Sequence, residues 1–480
     1  MLRRLSLAVA IAAISHGAWA EPAQTSNRAD LLTIYQDALA NNADLAAAQA
    51  EYQAQREVVP QARAGLLPQV NAGANVSDTR SEVDSSLGTQ SGSRSGIAYQ
   101  ASLSQPIFRA DRWFQLQAAQ ASSEQAALQF SATSQGLILQ SAEAYFGVLR
   151  AQDNLATTKA EEAAFKRQLD QANERFDVGL SDKTDVLEAQ AGYDNARANR
   201  LIAERNVADA FQSLTTLTDR LYEGLEGVKH SLPVVEPVPN DAQAWVDTAA
   251  QQNLNLQASN FAVQAAEETL RQRKAGHAPT LDAVAQYQKG DNDLLGFRNS
   301  AGQPLRYGPD AEQQSIGLQL NIPLYSGGLT SSQVRESYQR LNQAEQSRES
   351  LRRQVVQNTR NFHRAVNTDV EQVKARRQTI ISTQSALEAT QIGYQVGTRN
   401  IVDVLDAQRQ LFSAVRNYNN ARYDYLLNNL RLKQAAGTLS PADLEALDGF
   451  LNPLYAPDKD FLPEDLAKAA EATLQGNPQF

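Results

Sequence analysis

Two periodicities alternate along this chain, and each is used twice. Between Pro68 and Pro106 apolar and polar positions alternate singly: Val70, Ala72, Ala74 and Val76 against Asn71, Gly73, Asn75 and Ser77, then Ile97, Tyr99, Ala101 and Leu103 against Ala98, Gln100, Ser102 and Ser104. Between Pro279 and Pro323 the pattern returns, with Leu281, Ala283, Ala285 and Tyr287 in one run and Ile316, Leu318, Leu320 and Ile322 in another. A period of two over such runs predicts strands, so each proline-bounded segment reads as a β-hairpin. The connections SEVDSSLGTQSGSRSG (81–96) and DNDLLGFRNSAGQPLRYGPDAEQ (291–313) are rich in Gly, Ser, Asn and Asp, and are expected to be solvent-exposed loops.

Outside the hairpins the period is helical. No proline occurs between Pro106 and Pro233 or between Pro323 and Pro441, and the composition is dominated by Ala, Gln, Leu, Glu and Arg. A helix from about residue 109 to 178 is on the order of 100 Å long at 1.5 Å per residue, too long for a globular core. Ile401, Val404, Gln408, Leu411, Val415 and Tyr418 recur at steps of three and four, as do Ile138, Ala142, Tyr145 and Leu149. These are coiled-coil seams, with alanines at neighbouring contact positions letting helices approach closely.

The two halves follow one plan. FDVGLSDKTDVLEAQ at 176–190 returns as YQVGTRNIVDVLDAQ at 394–408; AGLLP at 64–68 matches AGHAP at 275–279, and QPIF at 105–108 matches IPLY at 322–325. The order is kept and the spacing drifts by only about seven residues, which marks a tandem duplication. The expected organisation is a signal peptide at 1–20, a first repeat at 21–232, a linker at 233–240 holding Pro233, Pro237 and Pro239, a second repeat at 241–436, and a carboxyl-terminal segment at 437–480.

The signal peptide is read from Arg3 and Arg4, the apolar run Leu5 to Ile14, and Ala18-Trp19-Ala20 before the expected cleavage point. An exported chain without a later apolar run of about 20 residues can enter a membrane only with strands. The hairpins suit that: one face is apolar but light and the other is Asn, Gln and Ser, as when lipid lies outside and water inside, although a soluble sheet packed on helices also alternates. Four strands are too few to close a barrel, for which about eight are the minimum, so a membrane sheet of this kind must be completed by other copies. Without the signal peptide the formal charge is about −12, which argues against nucleic acid as a partner. The chain has no Cys, so thiolate metal sites, disulfides and a thioether-linked lipid are excluded.

This order of segments, with GLLPQV opening the first hairpin, LNIPLYSGG closing the second and above all VGTRNIVDVLDA, resembles the TolC family of outer-membrane export channels, from Asp30 to about Asp448. The resemblance implies a mixed α and β fold: long coiled-coil helices forming a periplasmic α-barrel, and two β-hairpins per chain completing a 12-stranded trimeric outer-membrane β-barrel. It implies a mixed band around the α-barrel from residues near 221–250 and those after Gly437. It also implies a passive exit duct for drug efflux or type I protein secretion, served by a periplasmic adaptor and an inner-membrane pump or ABC exporter, with outer membrane lipid around it.

The turn motifs carry the candidate site. Gly179 and Gly397 are placed to end helices in the left-handed conformation; Asp182 and Asn400 are placed to cap the following helices, with Asp185 and Asp403 three residues on, near the positive end of the helix dipole. Between the copies Phe176 becomes Tyr394 and Ser181 becomes Arg399, while only the first has Thr184. A phenol and a guanidinium in one turn can bond to carboxylates of the other. The family resemblance implies that Tyr394, Arg399, Thr184 and Asp185 hold the periplasmic entrance shut. It implies that Asp403 and Asp406 line a cation-attracting ring there. Val178, Gly179, Leu180, Val396, Gly397 and Thr398 are then the turns where an adaptor docks; capping alone also accounts for the glycines and aspartates.

No HExxH pair, GxSxG elbow, phosphate-binding glycine loop or calcium loop occurs, so no enzyme and no cofactor is expected. Two rivals are a periplasmic coiled-coil adaptor without a membrane barrel and a self-contained porin. The paired hairpins count against the first, and the strand number against the second.

Overall fold

The structure, a computed structural model, describes residues 28–85, 88–290 and 311–463. The expected signal peptide, most of the second hairpin connection and the end of the carboxyl-terminal segment lie outside these residues. In chain order, α1 (Leu31–Asn41), α2 (Ala43–Arg56) and α3 (Val58–Ala64) lead to β1 (Gln69–Ser85) and β2 (Gly88–Phe108), then to the long α4 (Ala110–Asp177), its return helix α5 (Lys183–Thr218) and the short β3 (Gly227–Val228). The second half repeats this with α6 (Ala242–Gln252), α7 (Leu254–Ala275), β4 (Thr280–Gly290), β5 (Ala311–Asn321), α8 (Leu329–Gln395) and α9 (Ile401–Ala436). It closes with α10 (Pro441–Asp448), β6 (Leu451–Asn452) and α11 (Pro457–Asp460). The 68 residues of α4 and 67 of α8 each make a rod of about 100 Å.

The two hairpins join in one antiparallel sheet of order β1-β2-β4-β5, leaving β1 and β5 as edges. Its register explains the period of two. Val70 pairs with Leu103, Leu103 with Ala285 and Ala285 with Ile316, so the alternating apolar residues line one face across all four strands. Among the described residues that face is left largely open: Val70 and Val76 are exposed, and Ile316 is 91% exposed. Among the described residues no helix is long and apolar enough to cross a membrane.

Two expectations need correction. The stretches 81–85 and 88–96 are strand rather than loop, since Ser81 pairs with Gly92 and pairing continues to Ser85 with Gly88. Composition misled because a strand ladder is built from backbone bonds, which Gly and Ser can make as well as apolar residues can. Of the second connection, 311–313 likewise belong to β5. Nor does Pro106 end the first hairpin: β2 runs on to Phe108, with a register shift against β4 between Pro106 and Phe108, where proline supplies no ladder N–H.

The helical seams behave as read. Ile138, Ala142, Tyr145 and Leu149, and Ile401, Val404, Gln408, Leu411, Val415 and Tyr418, are all buried. The largest core cluster gathers around them, with α1 and the β3–β6 pair packed against the helices. Tyr145 donates to the carbonyl of Glu226 at 2.5 Å, and Gly227 leaves space for the Tyr455 ring.

Candidate functional site

The tips of the two helical hairpins are built alike. At the end of α4 the N–H of Leu180 donates to the Arg175 carbonyl at 2.8 Å and that of Gly179 to Phe176 at 2.9 Å; at the end of α8, Thr398 donates to Gly393 at 2.8 Å and Gly397 to Tyr394 at 3.1 Å. This paired closure needs one residue with positive φ, supplied by Gly179 (75°) and Gly397 (79°). Asp182 then accepts from the Asp185 N–H at 3.1 Å, and Asn400 from that of Asp403 at 2.8 Å. Only the second copy completes the reciprocal box, Asn400 N–H donating to Asp403 Oδ2 at 3.2 Å. Val178, Leu180 and Val396 stand exposed at the extremities.

The copies diverge in their side chains. Phe176 is exposed, whereas Tyr394 is buried at 7% exposure, its ring 4.7 Å from the Arg175 guanidinium carbon. Burial pushes the Tyr394 phenol above its ordinary pKa, Arg175 pulls it back and Asp185 adds to the rise. Neither the Tyr394 hydroxyl nor Arg175 Nε has a hydrogen-bond partner among the described residues. Asp185 accepts from Ser181 Oγ at 3.0 Å, and Thr184 is exposed. Arg399, in the turn between α8 and α9, folds over Gly393 and stays 61% exposed, 3.9 Å from Asp403. So the chain brings Tyr394 into the field of Asp185 but does not bring Arg399 to it. Asp406 is half-exposed and pairs with Arg409 at 2.8 Å.

Two residues escaped the sequence reading, and they occupy one position. Arg175 in the first copy corresponds to Gly393 in the second. Arg175 covers the Tyr394 ring. At Gly393 an added Cβ would come 2.8 Å from Arg399 Cγ, so the missing side chain is what gives Arg399 its place. The signal was available as one more difference between aligned copies, directly before Phe176 and Tyr394.

Further up, the copies are joined firmly. On the antiparallel helices α4 and α9, Glu143 binds Arg431 at 2.8 Å, Arg150 binds Asp424 at 2.5 Å, and Glu161 binds Arg416 at 2.7 Å. Between the second and third rungs Asp153 is buried, accepting from the hydroxyls of Tyr423 (2.8 Å) and Tyr455. Its pKa rises from 3.8 to about 6 because burial penalises the charged form; the two phenol donors and Arg422 oppose the rise without cancelling it. The same phenols are pushed upward by burial and by Asp153 itself. Tyr455 belongs to the carboxyl-terminal segment, so this node ties both copies and that segment together.

Comparison with known proteins follows the same lines. The sequence profile of the outer membrane efflux protein family matches residues 34–220 and 245–438. The outer membrane protein TolC of Vibrio cholerae serotype O1 is 37% identical over 440 residues, 92% of this chain and 96% of that one. The alkaline protease secretion protein AprF of Pseudomonas aeruginosa is 28% identical over 421 residues, 86% of each chain. Among solved structures, CusC superposes with a TM-score of 0.73 at 18% identity, covering 86% of this chain and 93% of its own, a likeness of fold.

Proposed function

Since the chain belongs to the outer membrane efflux protein family, we propose that it works as a homotrimer, its twelve strands closing a barrel through the outer membrane and its helices continuing as a periplasmic duct. It is an outer-membrane efflux channel of the TolC type and not an enzyme. The observation that carries the trimer is the four-stranded sheet with a largely apolar face and two edges unpaired among the described residues. In lipid each orphaned edge group costs several kcal/mol, so β1 and β5 of neighbouring copies must meet. A soluble adaptor has no use for such a sheet.

The entrance lies at the tips. The unbonded Tyr394 hydroxyl and the outward Arg399 are donors awaiting acceptors, and Thr184 and Asp185 on the first-copy turn are acceptors at the same level. In a ring where the two turns alternate, these four lock the duct. Exposed pairs are each worth about 0.2–1 kcal/mol, so a threefold set holds the entrance yet releases it on demand. Asp403 and Asp406 from three chains form a carboxylate ring that draws cations as far as Arg399 and Arg409 leave it uncompensated. Exposed Val178, Leu180 and Val396, with Gly179, Gly397 and Thr398, offer the docking turns for a periplasmic adaptor, through which an inner-membrane pump or ABC exporter supplies the energy. Drug efflux and type I secretion both fit, the pump choosing the cargo. The residue divisions 21–232, 241–436 and 437–480 serve as working domains.

The test exploits the absence of Cys. With Ala72→Cys on β1 and Leu318→Cys on β5, a short thiol-reactive linker should yield trimer-sized bands in the outer-membrane fraction. Soluble periplasmic monomer would overturn this reading.

A further inference from the structure

Around the junction of helix and strand the charge balance of this acidic chain inverts. About one residue in nine along the whole sequence is Asp or Glu. Yet the stretches 58–77, 269–281 and 313–335, each running through a helix–strand junction, and 112–123, which follows one after Asp111, contain none, while holding Arg63, Arg112, Arg271, Arg273, Lys274 and Arg335. Avoidance of charge inside lipid explains the acid-free strands. It does not explain helical stretches that reject acids and keep bases.

The structure gathers these stretches at one level. Gly65, at the end of α3, lies against the Arg112 side chain at the start of α4, and Gly276, after α7, lies against Thr330 at the start of α8. The strands β4 and β5, at 11 residues each, rise roughly 28 Å along the membrane normal at a tilt of about 40°, close to the thickness of a hydrocarbon core. The helices therefore begin in the headgroup layer. Exposed Phe108, Trp113 and Tyr325 mark that layer, as aromatic residues do where strands leave lipid. Just beyond them some cations are spoken for: Arg109 grips Asp282 with two bonds of 3.0 and 2.7 Å, Arg112 lies 3.8 Å from Asp111, and Arg271 binds Glu268 at 2.7 Å. Arg63, Arg273, Lys274 and Arg335 are exposed and have no carboxylate partner among the described residues.

We infer that these four residues form a basic collar that binds the head groups of anionic glycerophospholipids in the periplasmic leaflet of the outer membrane. The collar lies within about ten helical residues of the junction, roughly 15 Å, and long Arg and Lys side chains reach back toward the interface across that gap. The carboxylates close to this level, Asp111, Asp282, Glu268 and Glu336, each face an arginine, which offsets the repulsion they would exert on anionic head groups. The inference rests on the outer-membrane reading, which fixes the bilayer around the strands. Such a collar seats the barrel at a defined depth and leaves the helices below free to carry an acidic surface.

The test is native mass spectrometry of the full detergent-solubilised channel titrated with phosphatidylglycerol or phosphatidylethanolamine. The wild type should bind phosphatidylglycerol about tenfold more tightly, the preference fading with salt. The variant Arg63→Gln/Arg273→Gln/Lys274→Gln/Arg335→Gln should lose it, and the control Arg167→Gln/Arg197→Gln/Arg348→Gln/Arg364→Gln, changed far down the rods, should keep it. Should the fourfold variant fail to assemble, Arg273→Gln/Lys274→Gln alone must reduce the preference. No head-group preference in the wild type, or one that survives loss of the collar residues, overturns the proposal. A protein that inserts into vesicles of neither lipid would instead refute the barrel itself.

Discussion

Below the sheet the two copies meet half-way along the rods and again at the tips, and these two meetings are finished to different degrees. Along α4 and α9 each rung has both partners: Glu143 with Arg431, Arg150 with Asp424, Asp153 with two tyrosines, Glu161 with Arg416. At the tips the bonds stop short: among the described residues the Tyr394 hydroxyl has no partner, Arg399 folds over Gly393 with Asp403 3.9 Å away, and the Asp185 carboxylate is held by Ser181 of its own turn. A completed ladder fixes the helices; an uncompleted one leaves valences for neighbouring chains and can be undone without unfolding anything. On the proposed reading of the tips as the gate, stability and gating are thus separated along one pair of rods.

That separation can be broken from the firm end first. Asp153 has a folded pKa of about 6 against an ordinary 3.8, so the folded state holds its proton more tightly than the unfolded one. Its contribution is most favourable below pH 4 and is lost as the pH rises through 6, by about 3 kcal/mol. In denaturant unfolding of the solubilised channel, wild type should gain on Asp153→Asn as the pH falls from 7 to 4; a constant difference would contradict this. Next in size, Glu161→Ala strands the half-buried Arg416 and should cost about 2 kcal/mol, less than a fully buried pair. Glu161→Leu with Arg416→Met should recover most of it, as a double-mutant cycle of thermal midpoints will reveal.

At the loose end the effects fall on conduction. Asp403→Ala with Asp406→Ala should weaken blockade by a multivalent cation several-fold, and undiminished block would remove the ring. Smallest of all, Gly393→Ala pushes on Arg399 and should raise conductance slightly with the thermal midpoint unchanged. Gly147→Ala, where an added Cβ meets nothing within 4 Å, is its silent control.

Much of the tip was legible because its determinants are local. Gly179, Gly397, Asp182 and Asn400 act on residues within one turn of themselves, and spacing alone places them. The apolar face of the sheet was legible for the same reason, a period of two needing no partner to be seen. The ladder was not: pairing residue 143 with 431 and 161 with 416 depends on an antiparallel register across some 270 residues, which no local pattern carries. The strands continuing through 81–85 and 88–96 were hidden because their composition is that of a loop, while the cross-strand pairing that defines them is a matter of backbone bonds. Arg175 was missed although the copies differ there, since an arginine beside Phe176 suggests nothing until Tyr394 is seen beneath it.

The central claim is that the second copy's departures from the first, Tyr394 and Arg399, hold the entrance shut. Tyr394→Phe keeps the ring under Arg175 and removes only the hydroxyl, while Arg399→Ser restores the first copy's residue. Single-channel conductance of the double variant in planar bilayers measures this most directly. A conductance well above wild type, at unchanged thermal midpoint, is the result expected; a conductance equal to wild type would contradict the account.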